Sequence, residues 1–401
     1  MSRSEPLDVG LPGHRKHTVS HPGYRPDIDG LRAIAVLAVV FGHAKLIPGG
    51  RGWVGVDIFF VISGYLISGI ILRALAQERF SLGDFYARRI KRIFPALVVV
   101  LLATWGLGWC VYSGSAFQLL GGHILSGSLY LQDFFVYLEG TTDTALTHLW
   151  SLAVEEQYYI SWPLLLIAGS RSRVILLASF LGATIISFAL NVVARPTDFM
   201  AAYFLPWDRL WEISLGGILA YAETASGFKS GLVRGLADST SIARFREPVC
   251  NIVGLVGIAL VLSSVLALSM PVFFNPFWQL IPTVGACLSI AAGGASWANR
   301  SVLGARPLVF IGLMSYPLYL WHQPLLFISR ALGYQAANRA VSVVVVIISV
   351  AVSFLTYAYV EKPLRYSRHT TRVVCILVLL LECCAVLGFL TFTQSIPGHL
   401  H

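Results

Sequence analysis

Arg32 and His43 are two ionisable residues that stand eleven positions apart in an otherwise apolar segment. On an α-helix this separation covers about 16 Å along the axis and close to three turns, so both side chains lie on roughly the same face. An imidazole can act as a general base near neutral pH. The pair predicts a ligand lying along the helix, with Arg32 as anchor and His43 as catalytic base. A buried structural histidine with an arginine at the helix end is the alternative.

Asp57 lies in a glycine-rich segment, residues 49–66, that follows the first apolar run. Its carboxylate could orient the His43 imidazole, as the third group of an acyl-transfer triad does. It could equally cap the start of the next helix. Both interpretations stay open at this point, and Asp57 is a candidate catalytic residue.

Four basic side chains are crowded into residues 85–95: Arg88, Arg89, Lys91 and Arg92. Arginine offers paired donors that match phosphate oxygens. The cluster therefore predicts a binding site for the phosphates of a cofactor. Contact with anionic membrane lipid would use the same charges and is the alternative.

A third polar segment begins at His148 and carries the adjacent carboxylates Glu155 and Glu156, followed by Tyr158. On a helix His148 and Glu155 share a face, because they are seven positions apart, while Glu156 points about 100° away. One carboxylate could bind sugar hydroxyls or position the base. Glu155 and Glu156 are thus candidate catalytic residues, and His148 and Tyr158 candidate substrate ligands. An aromatic belt at the membrane surface is the alternative.

Residues 315–324 combine aromatic side chains with a histidine and two prolines, Pro317 and Pro324. Proline has no N–H, so each interrupts the helical hydrogen bonds and frees backbone groups. Such a segment can line a sugar-binding cavity, which makes Tyr316, Trp321 and His322 candidate substrate ligands. A kink used for packing is the alternative.

These segments are embedded in a chain of 401 residues that is 56% hydrophobic and only 12% charged. An ordinary soluble domain is about one-quarter charged, so a soluble enzyme is excluded. The composition predicts an all-α, polytopic helical membrane protein, and the cysteines have no metal-ligand spacing, so no metal site is predicted. We expect eleven apolar spans: 32–47, 53–72, 94–113, 148–168, 174–194, 207–222, 249–269, 279–295, 308–328, 341–360 and 373–393.

The distribution of basic residues predicts the orientation. With a cytoplasmic N-terminus, 23 of the 29 Lys and Arg residues fall in inner segments and six in outer ones, which fits the positive-inside rule. The net charge of +9 is therefore explained without a nucleic-acid partner. We read 114–147 as an outer loop with a re-entrant or interfacial part, and the C-terminus as extracytoplasmic. The expected parts are a cytoplasmic tail (1–30), a transmembrane domain of about ten helices (31–372), and an additional helix with an outer tail (373–401).

Taken together, the motifs resemble those of the acyltransferase 3 family of multi-span membrane acyltransferases, over roughly residues 24–395. The resemblance is carried by residues 24–32, the Arg32–His43 pair, and residues 54–66, 85–95, 149–158 and 316–322. It implies transfer of an acyl group, usually acetyl, from cytoplasmic acyl-CoA to hydroxyls of extracytoplasmic glycans such as lipopolysaccharide O-antigen, in the bacterial inner membrane. It also implies essential roles for Arg32 and His43. Arg32 would hold the donor or stabilise negative charge that develops at the reacting carbonyl. His43 would act as the base or carry the acyl group.

The N-terminal motif is similar to the subgroup that carries an SGNH esterase-like domain after an eleventh span. This sequence stops at His401 without that domain. Three alternatives explain this difference. The sequence is a natural short form, it is a piece of a longer protein, or it acts with a separate SGNH-type partner. Membrane lipid and a surface glycan are the other expected partners.

A rival function from a different class is a transporter or flippase for a glycan lipid or an organic anion. The intramembrane His, Arg and carboxylate groups would then relay protons. A scaffold subunit that passes acyl groups to a separate esterase-like protein is a third hypothesis. The absence of a visible internal repeat weighs against transport.

Overall fold

The computed structural model describes residues 24–47, 51–140, 142, 144–225, 246–267, 275–334 and 338–396. Sixteen α-helices are found in these ranges, as follows: α1 (Pro26–His43), α2 (Val54–Ala76), α3 (Leu82–Val111), α4 (Gly114–Ser128), α5 (Gln132–Glu139), α6 (Leu149–Gly169), α7 (Arg173–Ala194), α8 (Phe199–Phe204), α9 (Pro206–Ala225), α10 (Arg246–Ala267), α11 (Leu280–Ala292), α12 (Arg306–Leu313), α13 (Ser315–Ala331), α14 (Arg339–Leu355), α15 (Lys362–Arg365) and α16 (Thr370–Phe392).

Seven helical segments among the described residues are long and apolar enough to cross a bilayer: Val54–Ala76, Leu82–Val111, Arg173–Ala194, Arg246–Ala267, Pro276–Ala295, Arg339–Arg365 and Thr370–Phe392. The four other predicted spans also coincide with helices, namely α1, α6, α9 and the α12–α13 pair. Those four are shorter or more polar than the seven. The all-helical membrane fold is therefore confirmed, while eleven crossings and the orientation of the termini stay predictions.

The outward faces of the apolar helices carry exposed aliphatic side chains. Ile185 on α7, Leu266 on α10, Ile347 on α14 and Leu379 on α16 are each about 60% exposed. Large apolar side chains on the surface of a helical bundle suit contact with lipid tails. The polar and ionisable groups are instead gathered between α1, α2, α3, α6, α9 and α13.

Helices α2 and α9 approach closely because glycines face each other at their crossing. A Cβ added at Gly64 would lie 1.8 Å from the Ile213 carbonyl oxygen, and one at Gly216 would lie 2.1 Å from the Val61 carbonyl oxygen. Neither position can carry a side chain without moving the partner helix. In membranes such small residues allow backbones to pack at short range, and here they fix α9 against the helix that carries Asp57.

The segment predicted as an outer loop, 114–147, contains the two short helices α4 and α5. The 15 residues of α4 correspond to about 22 Å, which is less than the bilayer core of about 30 Å. Neither helix therefore has the length of a membrane span. Helix α4 packs mainly against α16 and also contacts α3.

The first and last described helices, α1 and α16, lie close to the predicted limits of the N-terminal tail (1–30) and the additional helix (373–401). Residues 1–23 lie outside the described residues, but α1 already begins at Pro26. Asp27, which belongs to the predicted tail, is buried and accepts hydrogen bonds from Arg25 at 2.7 Å and from the Asn299 amide at 3.1 Å. At the other end, α16 packs against α3 and α4.

Candidate active site

Three histidines from distant parts of the chain form one cluster. His43 is the last residue of α1, His148 precedes α6, and His322 lies within α13. The Nδ1 atom of His43 is 2.9 Å from Nε2 of His322, and the two ring planes are within 3° of parallel. The His148 ring packs edge-on against His322, with 5.2 Å between the ring centroids. His148 and His322 are buried, whereas His43 is exposed at the end of its helix.

Proline explains why α13 can hold the neighbouring histidine. Pro324 has no N–H to donate to the Leu320 carbonyl four residues earlier, so that oxygen lacks its usual intrahelical partner. His148 Nε2 lies 3.2 Å from the Leu320 oxygen and can supply the missing donor. The freed carbonyl therefore fixes the orientation of a histidine just before the start of another helix.

Ser151 and Tyr319 lie beside this cluster. Neither residue was predicted from the sequence as part of the site. The Tyr319 hydroxyl donates to the backbone oxygen of His148 at 2.6 Å and is 2.6 Å from Ser151 Oγ. Tyr319 occurs three residues after the predicted Tyr316 and three before His322. That one-turn spacing was the available signal, since it places all three side chains on neighbouring positions of one helix face.

A cavity extends between α1, α2, α3, α6 and α13. Its lining residues are Arg32, Phe59, Ile62, Ser63, Leu66, Ile67, Arg89, Arg92, Ile93, Ser151, Leu152, Glu155, Tyr159, Ser315, Tyr316 and Tyr319. Ser151 and Tyr319 thus belong both to the cavity wall and to the surroundings of the histidines.

The charges that line the cavity are mainly positive. Arg32, Arg89 and Arg92 face a single carboxylate, Glu155, whose oxygen accepts a hydrogen bond from Tyr159 at 3.0 Å. Arg92 forms no hydrogen bond or ion pair with any residue in the described ranges. A guanidinium group in this state suits an anionic ligand, whereas Arg32 already forms an ion pair with Asp29 at 3.4 Å. The structure therefore brings Arg32, Arg89, Arg92 and Glu155 together at one cavity.

Two of the predicted phosphate ligands lie elsewhere. Arg88 is exposed and does not line the cavity. Lys91 is buried and donates to the Ser367 backbone oxygen at 2.8 Å and to the Thr370 hydroxyl at 3.2 Å. It therefore holds the start of α16, because its position on α3 points away from the arginine face.

Tyr316 lines the cavity and donates to the Ile93 backbone oxygen at 2.9 Å. Trp321 is buried and donates to the Thr356 hydroxyl at 2.9 Å. A side chain that is enclosed by protein and already bonded cannot contact a glycan in this conformation. The predicted substrate-binding role of Trp321 is therefore not supported by its position.

Tyr158 and Glu156 face the protein interior outside the cavity. Tyr158 stacks on Trp162 with 4.6 Å between the ring centroids and is 3.2 Å from the Ser68 hydroxyl. Glu156 is buried, and its Oε1 has no hydrogen-bond partner among the described residues. Because consecutive helical residues point about 100° apart, only Glu155 of the two carboxylates reaches the cavity.

Asp57 does not orient His43, which corrects the triad hypothesis. Its carboxylate forms a very short ion pair with Arg209, and Arg209 also binds Glu212 at 3.0 Å. All three side chains are fully buried. A buried carboxylate requires a counter-charge, and Asp57 finds it on α9, while the Nδ1 atom of His43 faces His322.

Comparison with known proteins identifies the family. The model of the acyltransferase 3 family, described as an acyltransferase domain, matches residues 25–358. The protein named "Putative peptidoglycan O-acetyltransferase YrhL" from Bacillus subtilis is 30% identical over 374 residues, covering 87% of this chain and 56% of that protein. No solved structure matches significantly.

Two further relatives bear similar names. O-acetyltransferase OatA of Staphylococcus aureus is 27% identical over 362 residues, covering 86% of this chain and 58% of that protein. Peptidoglycan O-acetyltransferase OatA of Listeria monocytogenes is 26% identical over 362 residues, covering 85% and 56%. The chain thus spans somewhat more than half the length of these relatives. With the family model matching most of its residues, the chain belongs to the acyltransferase 3 family.

Proposed function

We propose that this chain is a membrane O-acyltransferase of the bacterial inner membrane. It transfers an acyl group, acetyl in the simplest case, from cytoplasmic acyl-CoA to a hydroxyl of an extracytoplasmic glycan. One observation carries the proposal: the arginine-lined cavity extends to Tyr319 and Ser151, which contact a histidine cluster whose outermost member, His43, is exposed. A donor and an acceptor can therefore approach the same cluster from different sides.

The donor site is the arginine end of the cavity. Arg89 and Arg92 would bind the CoA phosphates, and the pantetheine arm would extend past Glu155 and Tyr159 toward Tyr319. Arg32 is about 16 Å along α1 from His43, which is too far to stabilise charge that develops at the imidazole. Its role is therefore to hold the donor, and the alternative role at the reacting carbonyl is set aside.

His43 is the proposed catalytic group. As a general base it would take the proton of the acceptor hydroxyl while the oxygen attacks the thioester carbonyl. The C–S bond then breaks, and the proton passes from the imidazole to the CoA thiolate. In the second route the imidazole attacks the thioester first and carries the acyl group to the acceptor. Both routes need a neutral His43 and access from the cavity past Tyr319.

The acceptor class is a surface glycan. The names of the relatives from Bacillus and Listeria refer to peptidoglycan, which favours peptidoglycan over the lipopolysaccharide O-antigen predicted from the sequence. Those relatives are also longer than this chain. An SGNH-type domain or protein that completes the transfer remains part of the proposal.

The decisive experiment uses the protein in lipid vesicles with radiolabelled acetyl-CoA on one side and a glycan acceptor on the other. We expect CoA release and labelled glycan, both abolished by His43→Ala. His369→Ala is the matched control, because His369 is exposed at the start of α16, outside the cluster. CoA should also raise the melting temperature, since a ligand that binds the folded state stabilises it.

A transporter would give a different result in the same vesicles. It would move the glycan lipid or anion without consuming CoA, and CoA would not change its melting temperature. A scaffold subunit would bind and slowly hydrolyse acetyl-CoA but would label no glycan without its partner. Full transfer by His43→Ala would exclude the proposed mechanism.

A further inference from the structure

The hydrogen bonds of His322 determine which of its ring nitrogens carries hydrogen. Its Nδ1 atom lies 2.6 Å from the Tyr319 carbonyl oxygen and 3.3 Å from the Leu318 carbonyl oxygen. Carbonyl oxygens can only accept, so Nδ1 must be the protonated nitrogen. In the neutral imidazole Nε2 then keeps its lone pair and accepts.

This assignment determines the tautomer of His43. Its Nδ1 atom is 2.9 Å from the accepting Nε2 of His322, so it must donate and carry the hydrogen. The nearly parallel ring planes suit a hydrogen bond directed along the nitrogen lone pair. Neutral His43 therefore has its lone pair on Nε2, the nitrogen on the side of the ring remote from the bond to His322.

We propose that His322 is a positioning residue that selects the reactive tautomer of His43. This inference rests on the proposed acyltransferase function and makes Nε2 of His43 the atom that takes the proton or the acyl group. His322 is 0% exposed, so it cannot bind the glycan directly, which replaces its predicted role as a substrate ligand. The series of groups runs from the Tyr319 carbonyl through His322 to His43.

These hydrogen-bonded groups also stabilise the positive charge that forms on the His43 ring during the reaction. When Nε2 of His43 takes the hydroxyl proton, the ring becomes an imidazolium, and its Nδ1–H bond to His322 becomes charge-assisted and stronger. The new acyl–oxygen bond forms as the C–S bond breaks, and the same proton then leaves Nε2 for the CoA sulfur. His322 keeps its own proton on Nδ1 throughout, held by the Tyr319 carbonyl. A neutral imidazole thus occupies the place that a carboxylate has in a serine-protease triad.

The test compares His322→Leu with His322→Gln in lipid vesicles. Leucine fills the space without an acceptor, whereas the glutamine Oε1 can accept from Nδ1 of His43. Loss of the orienting group in a serine-protease triad lowers kcat about 10⁴-fold. We expect His322→Leu to lower kcat by roughly 10² to 10⁴-fold with little change in the KM for acetyl-CoA, and His322→Gln to recover at least part of that loss.

A second readout does not depend on activity. Solid-state NMR of ¹⁵N-histidine protein, with His43 assigned through its loss in His43→Ala, reports the protonated nitrogen directly. We expect Nδ1–H in the native protein and a shift toward Nε2–H in His322→Leu. His123→Leu is the control for removing any buried imidazole, because His123 is buried and contacts Gln132 at 2.5 Å, and it should leave the His43 tautomer unchanged.

Two results would overturn the proposal. One is a native His43 protonated on Nε2. The other is a His322→Leu protein that keeps its kcat, or that loses donor affinity in place of kcat. If the native protein transfers no acyl group at all, the proposed function fails, yet the tautomer measurement still decides whether His322 orients His43.

Discussion

The hydroxyl groups of Ser151 and Tyr319 lie 2.6 Å apart at the boundary between the arginine-lined cavity and the histidine cluster. Tyr319 also binds the His148 backbone, and its ring packs edge-on against Phe59 on α2. The cavity therefore ends at a hydrogen-bonded pair of neutral side chains. A thioester that approaches from the arginines must pass this pair to reach His43.

Tyr319→Phe should increase the hydrolysis of acetyl-CoA by water at the boundary between the cavity and the histidine cluster. The substitution keeps the ring but removes both hydrogen bonds of the hydroxyl. A net loss of about 1 kcal/mol from the closed arrangement shifts the balance toward open forms by roughly fivefold. We expect more free acetate from acetyl-CoA for each acetylated glycan, measured by chromatography of the labelled products.

Tyr158→Phe is the matched control for this ratio. Tyr158 is likewise buried and hydrogen-bonded to a serine, Ser68, but it does not line the cavity. It should lose a similar amount of stability without changing the ratio of acetate to glycan. An unchanged ratio in Tyr319→Phe would show that the hydroxyl pair does not separate donor from water.

Arg92→Ala should weaken binding of the donor. A hydrogen bond to a charged group contributes about 1.5–3 kcal/mol, so the KM for acetyl-CoA should rise roughly tenfold to a hundredfold, and CoA should stabilise the variant less against heat. Arg88→Ala serves as control, because Arg88 is on the same helix but is exposed outside the cavity. Equal effects of Arg92→Ala and Arg88→Ala would indicate a general electrostatic attraction of the donor and not a specific binding site.

The helices could be predicted because apolar runs of about twenty residues have few other solutions in a membrane protein. The basic cluster on α3 could also be recognised, but its spacing did not separate Arg89 and Arg92, which line the cavity, from Arg88 and Lys91, which do not. Glu155 and Glu156 point to different sides of α6. Their roles could be distinguished only by knowing what packs against each side of that helix. Local patterns therefore predicted which segments carry the site.

Long-range pairings could not be predicted from spacing. His43 and His322 are 279 positions apart, and Asp57 and Arg209 are 152 apart. Asp57 was predicted as the partner of His43 because the two residues are close in the sequence. The packing of α2 on α9 instead places its carboxylate against Arg209. Tyr319 was missed for another reason: a neutral aromatic residue in an apolar segment resembles ordinary packing.

The buried ion triad of Asp57, Arg209 and Glu212 should be unequally sensitive to substitution. Arg209→Met removes the guanidinium group that contacts both buried carboxylates, and loss of one partner of a buried pair typically costs about 3–5 kcal/mol. Asp57→Asn leaves Arg209 paired with Glu212, so it should cost clearly less. Chemical unfolding in detergent, followed by tryptophan fluorescence, measures both free energies of unfolding.

The Asp57→Asn variant also distinguishes a structural role of Asp57 from a catalytic role. If Asp57 acts only through Arg209, the folded fraction of Asp57→Asn should keep the native kcat and the native tautomer of His43. A large fall in kcat in well-folded Asp57→Asn protein would restore the triad hypothesis that the geometry has replaced.

Helix α16 lies beyond the family match, which ends at residue 358, yet its contacts place it within the helical body. The Trp105 indole donates to the Thr391 hydroxyl at 2.9 Å, and a Cβ added at Gly388 would lie 2.6 Å from the Leu125 amide nitrogen on α4. Gly388→Ala must therefore push α16 away from α4. Overpacking of this kind costs about 1–3 kcal/mol, and we expect a lower melting temperature and less acyl transfer.

Gly106→Ala is the natural control, because Gly106 lies within α3 and a Cβ there meets nothing within 4 Å. Alanine in an open helical position should stabilise the helix by up to about 1 kcal/mol, so its melting temperature should stay the same or rise. Opposite shifts in the two variants would identify α16 as part of the acyltransferase body. Equal melting temperatures would mean that α16 is loosely attached, and that the hydrogen bond from Trp105 does not hold it.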